Sequence, residues 1–501
     1  MSIRATLAAD PALGAGNALR RLLANGVDPA APVIAFDTDV DAHPAWERWS
    51  LGDLDRAVAA RAAWLHSRGV GPREVVAVFE DTAAGNILAF LAIARLGAIA
   101  ALVNARLDVK VAARYIRRLR AGGVLTSRED LIRADPEARW LGPLLAGEPD
   151  EAPEPYEHHD DDPVAITHSS GTTGIPKAVT GTHHSLFAAI RYRLTAPRAQ
   201  GLDRWLSALP AAHNSTLTIL NLALCNRTEL LALSSQSAES TLEGARRWQP
   251  GTVLGFSVTW AELAARDLSG LDSVSVWWNT GDSAHESHIR KLIGAGRHRV
   301  PTKDGPQWRD GSVFVDNLGS SELGHSVFSI THRPDTERYG RCVGKPDAYA
   351  EAKVIDEGGR ELPAGQPGLL AVRTPSMSPG YWNDSVATYA SRRKGWLLTG
   401  DVVRRDEAGF FYHLDRATDT YGGVYTVLAE EQILTAVPGV LDCTVVASPD
   451  GTDIYLQAAG PVDEQAIRAA IGAEAAATIR KITVDGVPQG ATGKVRKVAL
   501  R

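Results

Sequence analysis

Thr167-His168-Ser169-Ser170-Gly171-Thr172-Thr173-Gly174-Ile175-Pro176-Lys177 is the stretch on which the reading of this chain turns. It follows an apolar run at 164–167 that reads as a buried strand, and it precedes a helix beginning after His184. Hydroxyls and flexible glycines let backbone amides and side chains wrap phosphate oxygens, and Lys177 adds positive charge. The spacing GxxxxGK[ST] is absent, so this is not a Walker A loop. No GxGxxG follows the strand, so it is not a dinucleotide fingerprint either.

Outward from this loop, apolar β-type runs alternate with helical stretches. Residues 75–79, 164–167, 205–209, 274–279 and 313–315 read as strands; 56–67, 186–194, 240–247 and 285–294 read as helices. That alternation predicts an α/β fold of layered, mainly parallel sheets. From residue 351 short strands and tight turns suggest a small antiparallel subdomain. After residue 416 the chain restarts with a helix at 429–437, strands at 444–447 and 454–458, and a helix at 463–475, a small α+β unit. With 501 residues, more than one core is expected. The expected division is an N-terminal domain at 1–415, a hinge at 416–419 and a C-terminal domain at 420–501. Residues 87–105 carry only Arg95 as a charge and approach membrane-spanning length, but they lack aromatic anchors and flanking basic clusters. A buried helix over 82–96, turning at Gly97 into a strand, accounts for them better.

Composition narrows the class. Apolar residues make up 44% and charged residues 22%, as in soluble globular proteins. The net charge is −6 with both signs interspersed, and no basic stripe points to nucleic acid or to an anionic membrane. Cys225, Cys342 and Cys443 form neither a CxxC pair nor a zinc spacing. Arg4, Asp10, Arg20 and Arg21 interrupt any secretory apolar core. A cytoplasmic enzyme without membrane insertion is the expectation; the oligomeric state stays open.

The string SSGTTGIPK resembles the phosphate loop of the adenylate-forming superfamily, which includes acyl- and aryl-CoA synthetases, peptide-synthetase adenylation domains and luciferases. Ser169, Ser170, Gly171, Thr172, Thr173, Gly174 and Lys177 then become nucleotide-binding candidates, and other motifs follow in the family's order. Asn317-Leu318-Gly319-Ser320-Ser321-Glu322 is similar to YGxTE. The resemblance implies Mg²⁺ on Glu322, the α-phosphate near Ser321, adenine against Leu318 in place of tyrosine, and Gly319 as a further nucleotide-binding candidate. Trp396-Leu397-Leu398-Thr399-Gly400-Asp401 resembles WxxTGD, which implies that Asp401 accepts both ribose hydroxyls. Arg416 stands where the family's arginine steadies ribose and phosphate at the start of the hinge. Gly281, Asp282 and Ser283 match loosely the segment laid along adenine and acyl group, although Asp282 could instead cap the next helix. His213 sits where many members carry a gate beside the acyl pocket; a purely structural histidine is the alternative. Pro488-Gln489-Gly490-Ala491-Thr492-Gly493-Lys494 resembles PxxxxGK, which implies that Lys494 bridges the acid's carboxylate and the α-phosphate.

The resemblance implies an ATP- and Mg²⁺-dependent ligase whose mobile C-terminal domain serves two half-reactions in turn. A carboxylic acid becomes an acyl-adenylate with release of pyrophosphate, and the acyl group then passes to a nucleophile. Ala212-His213-Asn214 offers no aspartate to meet an α-ammonium group, which favours an aryl or other non-amino acid. Thr418 and Leu428 depart from the hinge and pantetheine-tunnel patterns, and no basic cluster is set for the 3′-phosphate of CoA. An amine acceptor, as in stand-alone amide bond synthetases of secondary metabolism, is the preferred expectation, with CoA as the alternative acceptor. A nucleotide-binding protein without catalysis is the rival of another class, and the presence of Glu322 and Lys494 counts against it.

Overall fold

The computed structural model describes residues 2–169, 175–197, 202–300, 302–484, 486–487 and 497–500. Its first large sheet orders Trp140–Gly142, Gly123–Leu125, Val75–Val78, Ile99–Leu102, Pro163–His168 and Ala178–Thr182. All neighbours are parallel except the last pair. Thr82 caps the helix Ala83–Arg95 through its side chain, and Gly97, at φ +71°, turns the chain into Ile99–Leu102. The apolar run is therefore core: residues 86–94 are buried throughout. Among the described residues no helix is long and apolar enough to cross a membrane.

The second sheet has 14 strands. Pro32–Phe36, Glu229–Ala232, Arg204–Ser207, Thr252–Gly255, Val276–Asn279 and Val313–Gly319 run parallel side by side. On its far side Val313–Gly319 pairs antiparallel with Ser326–His332, and antiparallel order then continues to the sheet's edge at Glu351–Ile355. Val313–Gly319 is thus the seam between two hydrogen-bonding patterns. Phe314 packs into the core of the parallel half and Leu318 into that of the antiparallel half.

The fold class matches the expectation: a large α/β body with parallel-rich sheets and a small C-terminal subdomain. Three details differ. The sequence reading passed directly from the loop to a helix after His184, whereas Ala178–Thr182 is a fully buried strand pairing back on Pro163–His168. The loop therefore joins two antiparallel strands. The antiparallel part begins at Ser326–His332 and extends the main sheet instead of standing apart. The helix read over 463–475 breaks at Gly472, where φ is +81°, into Glu464–Ile471 and Ala473–Ala477.

The C-terminal subdomain packs the helices Thr426–Ala436 and Glu464–Ile471 on the sheet Val440–Ser448, Gly451–Ala458, Ile479–Thr483 around Ile433, Val445, Ile454 and Ile467. It meets the body at the helix Glu286–Ile293. There His285 Nδ1 donates to Glu431 Oε2 (2.6 Å), the Glu286 amide donates to Glu431 Oε1 (3.1 Å), and His288 Nε2 donates to the Leu441 carbonyl (2.8 Å). Burial would raise the Glu431 carboxyl; His285, Arg341 and the Glu286 amide together outweigh it and hold it low.

Candidate active site

The two described ends of the loop segment lie together at the edge of the first sheet. The Ser169 amide donates to the Lys177 carbonyl at 3.1 Å. Lys177 Nζ stands 5.0 Å from the centroid of the Tyr381 ring, a cation–π distance. Tyr381 Oη in turn donates to Glu322 Oε1 at 3.0 Å. Burial and the Glu322 carboxylate both push the Tyr381 phenol up, so it remains a proton donor. Tyr381 thus connects the loop to the short helix Ser321–Leu323 that carries Glu322. Residues 170–174 and Lys494 lie outside the described residues.

A second cluster forms where Trp396–Arg405 pairs with Phe411–Arg416, with Asp401 directly opposite Arg416. Asp401 is buried, and Arg416 Nε lies 3.1 Å from its Oδ1. His413, also buried, lies between two carboxylates: Nε2 is 3.5 Å from Asp401 Oδ1 and Nδ1 is 3.5 Å from Asp282 Oδ1. These are charge contacts rather than short hydrogen bonds. Arg341 completes the group, with Nη2 3.3 Å from Asp282 Oδ1 and Nη1 donating to the Ser283 carbonyl at 2.8 Å. Burial would lower the imidazole, but Asp282 and Asp401 prevail and raise it to about 9. Burial likewise opposes ionisation of Asp401, and Arg416 with His413 keeps it below the usual carboxylate range.

A group raised in the folded state stabilises fully below its ordinary value, here 6.5, and that contribution is lost as pH climbs through about 9. The melting temperature is therefore expected to fall between pH 6.5 and 9, and His413→Asn should flatten that slope. An equally steep fall in the variant would remove His413 as its source.

Asp282 does not cap the following helix. His285 occupies the cap position of Glu286–Ile293, while Asp282 faces Arg341 and His413. His213 does cap a helix: it precedes Asn214–Asn226, and its Nδ1 accepts from the Ser215 amide at 3.1 Å. The same ring packs edge-on to Phe256 at 5.0 Å and lines a cavity, so the structural and pocket-lining readings hold together. That cavity is bounded by His213, Asn214, Ile219, Trp278, Thr280 and His325. Gly281 and Gly319 line it as well. Any side chain at Gly319 would strike the Ser326 backbone, 2.6 Å from the place of its first carbon, which is why this position needs glycine. Ser321 is buried, and Leu318 is buried among Leu323, Val327 and Phe328, only 4% exposed.

Sequence reasoning missed Tyr381, His413, Arg341, His325 and Trp278. Tyr381 and Arg341 lie in none of the motifs, and only folding brings them to the site. For His413 the signal available was an ionisable residue alternating with Asp415 just before Arg416. Lys497 is also buried, with Nζ 2.7 Å from Glu430 Oε1 and donating to Thr426 Oγ1 at 2.6 Å. Thr426 is tied to Asp415 in turn, its amide donating to Oδ2 and its hydroxyl to Oδ1.

A profile of the AMP-binding enzyme family matches residues 26–382. The chain is 41% identical to 3-aminoavenalumate diazotase of Streptomyces sp. across 99% of this chain and 97% of that protein. It is 29% identical to 3-hydroxybenzoate–CoA/4-hydroxybenzoate–CoA ligase of Thauera aromatica, across 90% and 91%. Among solved structures it resembles O-succinylbenzoate coenzyme A synthetase of Bacillus subtilis in complex with ATP and magnesium ion. There the TM-score is 0.78 at 21% identity, over 96% of this chain and 98% of that one.

Proposed function

Because the chain belongs to the AMP-binding enzyme family and is an adenylate-forming ligase, we propose that it activates an oxyacid with ATP and passes the activated group to the nitrogen of an aromatic amine. The observation that carries the amine acceptor is the end-to-end 41% identity with a diazotase, against 29% with an aromatic CoA ligase. This keeps the amine expected from sequence and widens the acid. A diazotase must add a nitrogen atom, so the acid whose adenylate serves it is nitrous acid, while a carboxylic acid would give an amide by the same two steps.

In the first step the acid's oxygen attacks the α-phosphorus and pyrophosphate leaves. No protein nucleophile is required; positioning and charge stabilisation supply the rate. Asp401 would accept the ribose hydroxyls, with Arg416 and His413 holding its carboxylate ionised. Lys177 and Lys494 would meet growing phosphate charge. Glu322, whose Oε1 accepts from Tyr381, supplies one hard oxygen donor. A single carboxylate suits Mg²⁺, which keeps waters and phosphate oxygens as its other ligands. Bound there, the ion would neutralise phosphate charge.

In the second step the amine lone pair attacks the nitrosyl nitrogen, the N–O bond to AMP breaks and the amine loses a proton. The nitrosamine tautomerises, takes up a proton and loses water to leave the diazonium ion. Between steps the unit at 420–501 would turn about 416–419, releasing the His285–Glu431 and His288–Leu441 contacts.

The thioester reading is favoured by the aromatic CoA ligase among the relatives, and one experiment separates the two. Purified protein, ATP and Mg²⁺ are given amino-substituted aromatic acids with ¹⁵N-nitrite, simple amines or CoA, and products are read by mass spectrometry. Nitrite-dependent loss of the amine with ¹⁵N in the product is expected. A thioester formed much faster than any N-linked product would defeat the proposal.

A further inference from the structure

The cavity beside His213 contains a side chain that no motif of the family's pattern announced. His325 follows the short helix Ser321–Leu323 and is 9% exposed. Its Nδ1 has the Ser326 carbonyl as partner, at 3.2 Å. A carbonyl can only accept, so Nδ1 carries the hydrogen, and in the neutral ring Nε2 is then an acceptor. Nε2 is buried and has no hydrogen-bond partner among the described residues. Burial first, and Arg193 second, push this imidazole down to about 3, so it is neutral at ordinary pH.

A buried acceptor left without a donor is costly, and His325 lines the cavity, so a ligand that brings a donor to Nε2 is favoured over one that does not. The walls around it suit an aromatic ring, with Trp278, Ile219 and Leu254 lining the same space. The loop is held in place: Asn214 Nδ2 donates to the Gly324 carbonyl at 2.9 Å, and the Thr280 and Ser326 hydroxyls lie 3.0 Å apart.

We propose that His325 Nε2 is the specificity-determining acceptor for a ring-borne hydrogen-bond donor, the amino group of the aromatic substrate. This rests on the reading that the cavity holds the aromatic amine. A neutral acceptor welcomes N–H and O–H, and it repels carboxylate, nitro and ether oxygens, which bring lone pairs of their own. A ring hydroxyl shares the required chemistry, so the test carries both.

The test is equilibrium binding by calorimetry, independent of turnover. Wild type, His325→Leu and His325→Gln are titrated with benzoate and with its 3-amino, 3-hydroxy and 3-methoxy derivatives. Unchanged ATP affinity and circular dichroism confirm intact folds. Wild type is expected to bind the 3-amino compound about 10- to 100-fold more tightly than benzoate or the 3-methoxy compound. A 3-hydroxy compound bound as tightly as the 3-amino one would overturn the amino group as the selected donor. His325→Leu should shrink the preference to within about threefold, and His325→Gln, which keeps an acceptor oxygen, should restore part of it. A leucine variant that keeps the full preference overturns the proposal. The two readings fail differently: a thioester product with the amino preference intact leaves His325 standing, whereas a diazotised product with no preference for donors removes only His325.

Discussion

Lys494→Ala is expected to lower ATP–pyrophosphate exchange by about 10²- to 10³-fold, while transfer from a preformed adenylate to the amine proceeds at the wild-type rate. Charge accumulates on the α-phosphate oxygens as the acid attacks, and an ammonium aimed there acts in the transition state more than in the ground state. The second half-reaction has no such phosphate attack. The anchor three residues on, Lys497 against Glu430 and Thr426, belongs to the subdomain core and is untouched by the substitution. Equal loss in both half-reactions would show that Lys494 acts on folding or on domain position instead of on charge.

Asp401→Asn should raise the KM for ATP by about 100-fold and also weaken the fold. One carboxylate faces Arg416 at 3.1 Å and His413 at 3.5 Å in a buried site. Removing the carboxylate leaves the buried His413 with Asp282 alone, whereas Arg416, 40% exposed at its side chain, can turn to solvent, so the stability loss should fall short of that for a fully buried pair. Initial rates and thermal unfolding together check this, and the amine's KM should stay within a factor of two or so of wild type. An ATP KM that moves less than that would take Asp401 out of the nucleotide site.

The parts of the site legible in sequence are those where one short segment carries both the turn and the chemistry. The segment 167–177, the Glu322 motif and the Asp401 motif stand out as candidates because each gathers its polar and glycine residues in one short stretch. The buried helix Ala83–Arg95 was legible because Thr82 and Gly97 mark its ends as sharply as the apolar run marks its body. The rest depends on register between distant strands. His413 comes between Asp282 and Asp401 only because Trp396–Arg405 and Phe411–Arg416 pair with a register shift between Val402 and Val403. Tyr381 reaches Glu322 through a bridge from Val179, a strand the sequence reading had not resolved. His325 looks like an ordinary loop residue until its buried nitrogen is seen to lack a donor among the described residues.

The seam strand bears on how this enzyme could be re-tuned by mutation. Along Val313–Gly319, Phe314 fills one core and Leu318 another, Asp316 accepts from Asn279 and Asn317 donates to the Asn279 carbonyl. Almost every position is committed on both faces, so a mutant library there would mostly sample misfolded chains. The helix Asn214–Asn226 supplies cavity walls through Asn214, Ser215, Thr218 and Ile219 from a single capped element. Directed evolution of substrate range is therefore better aimed at the wall positions Ser215, Thr218 and Ile219 than at the seam, with Asn214 kept because it holds the Gly324 carbonyl.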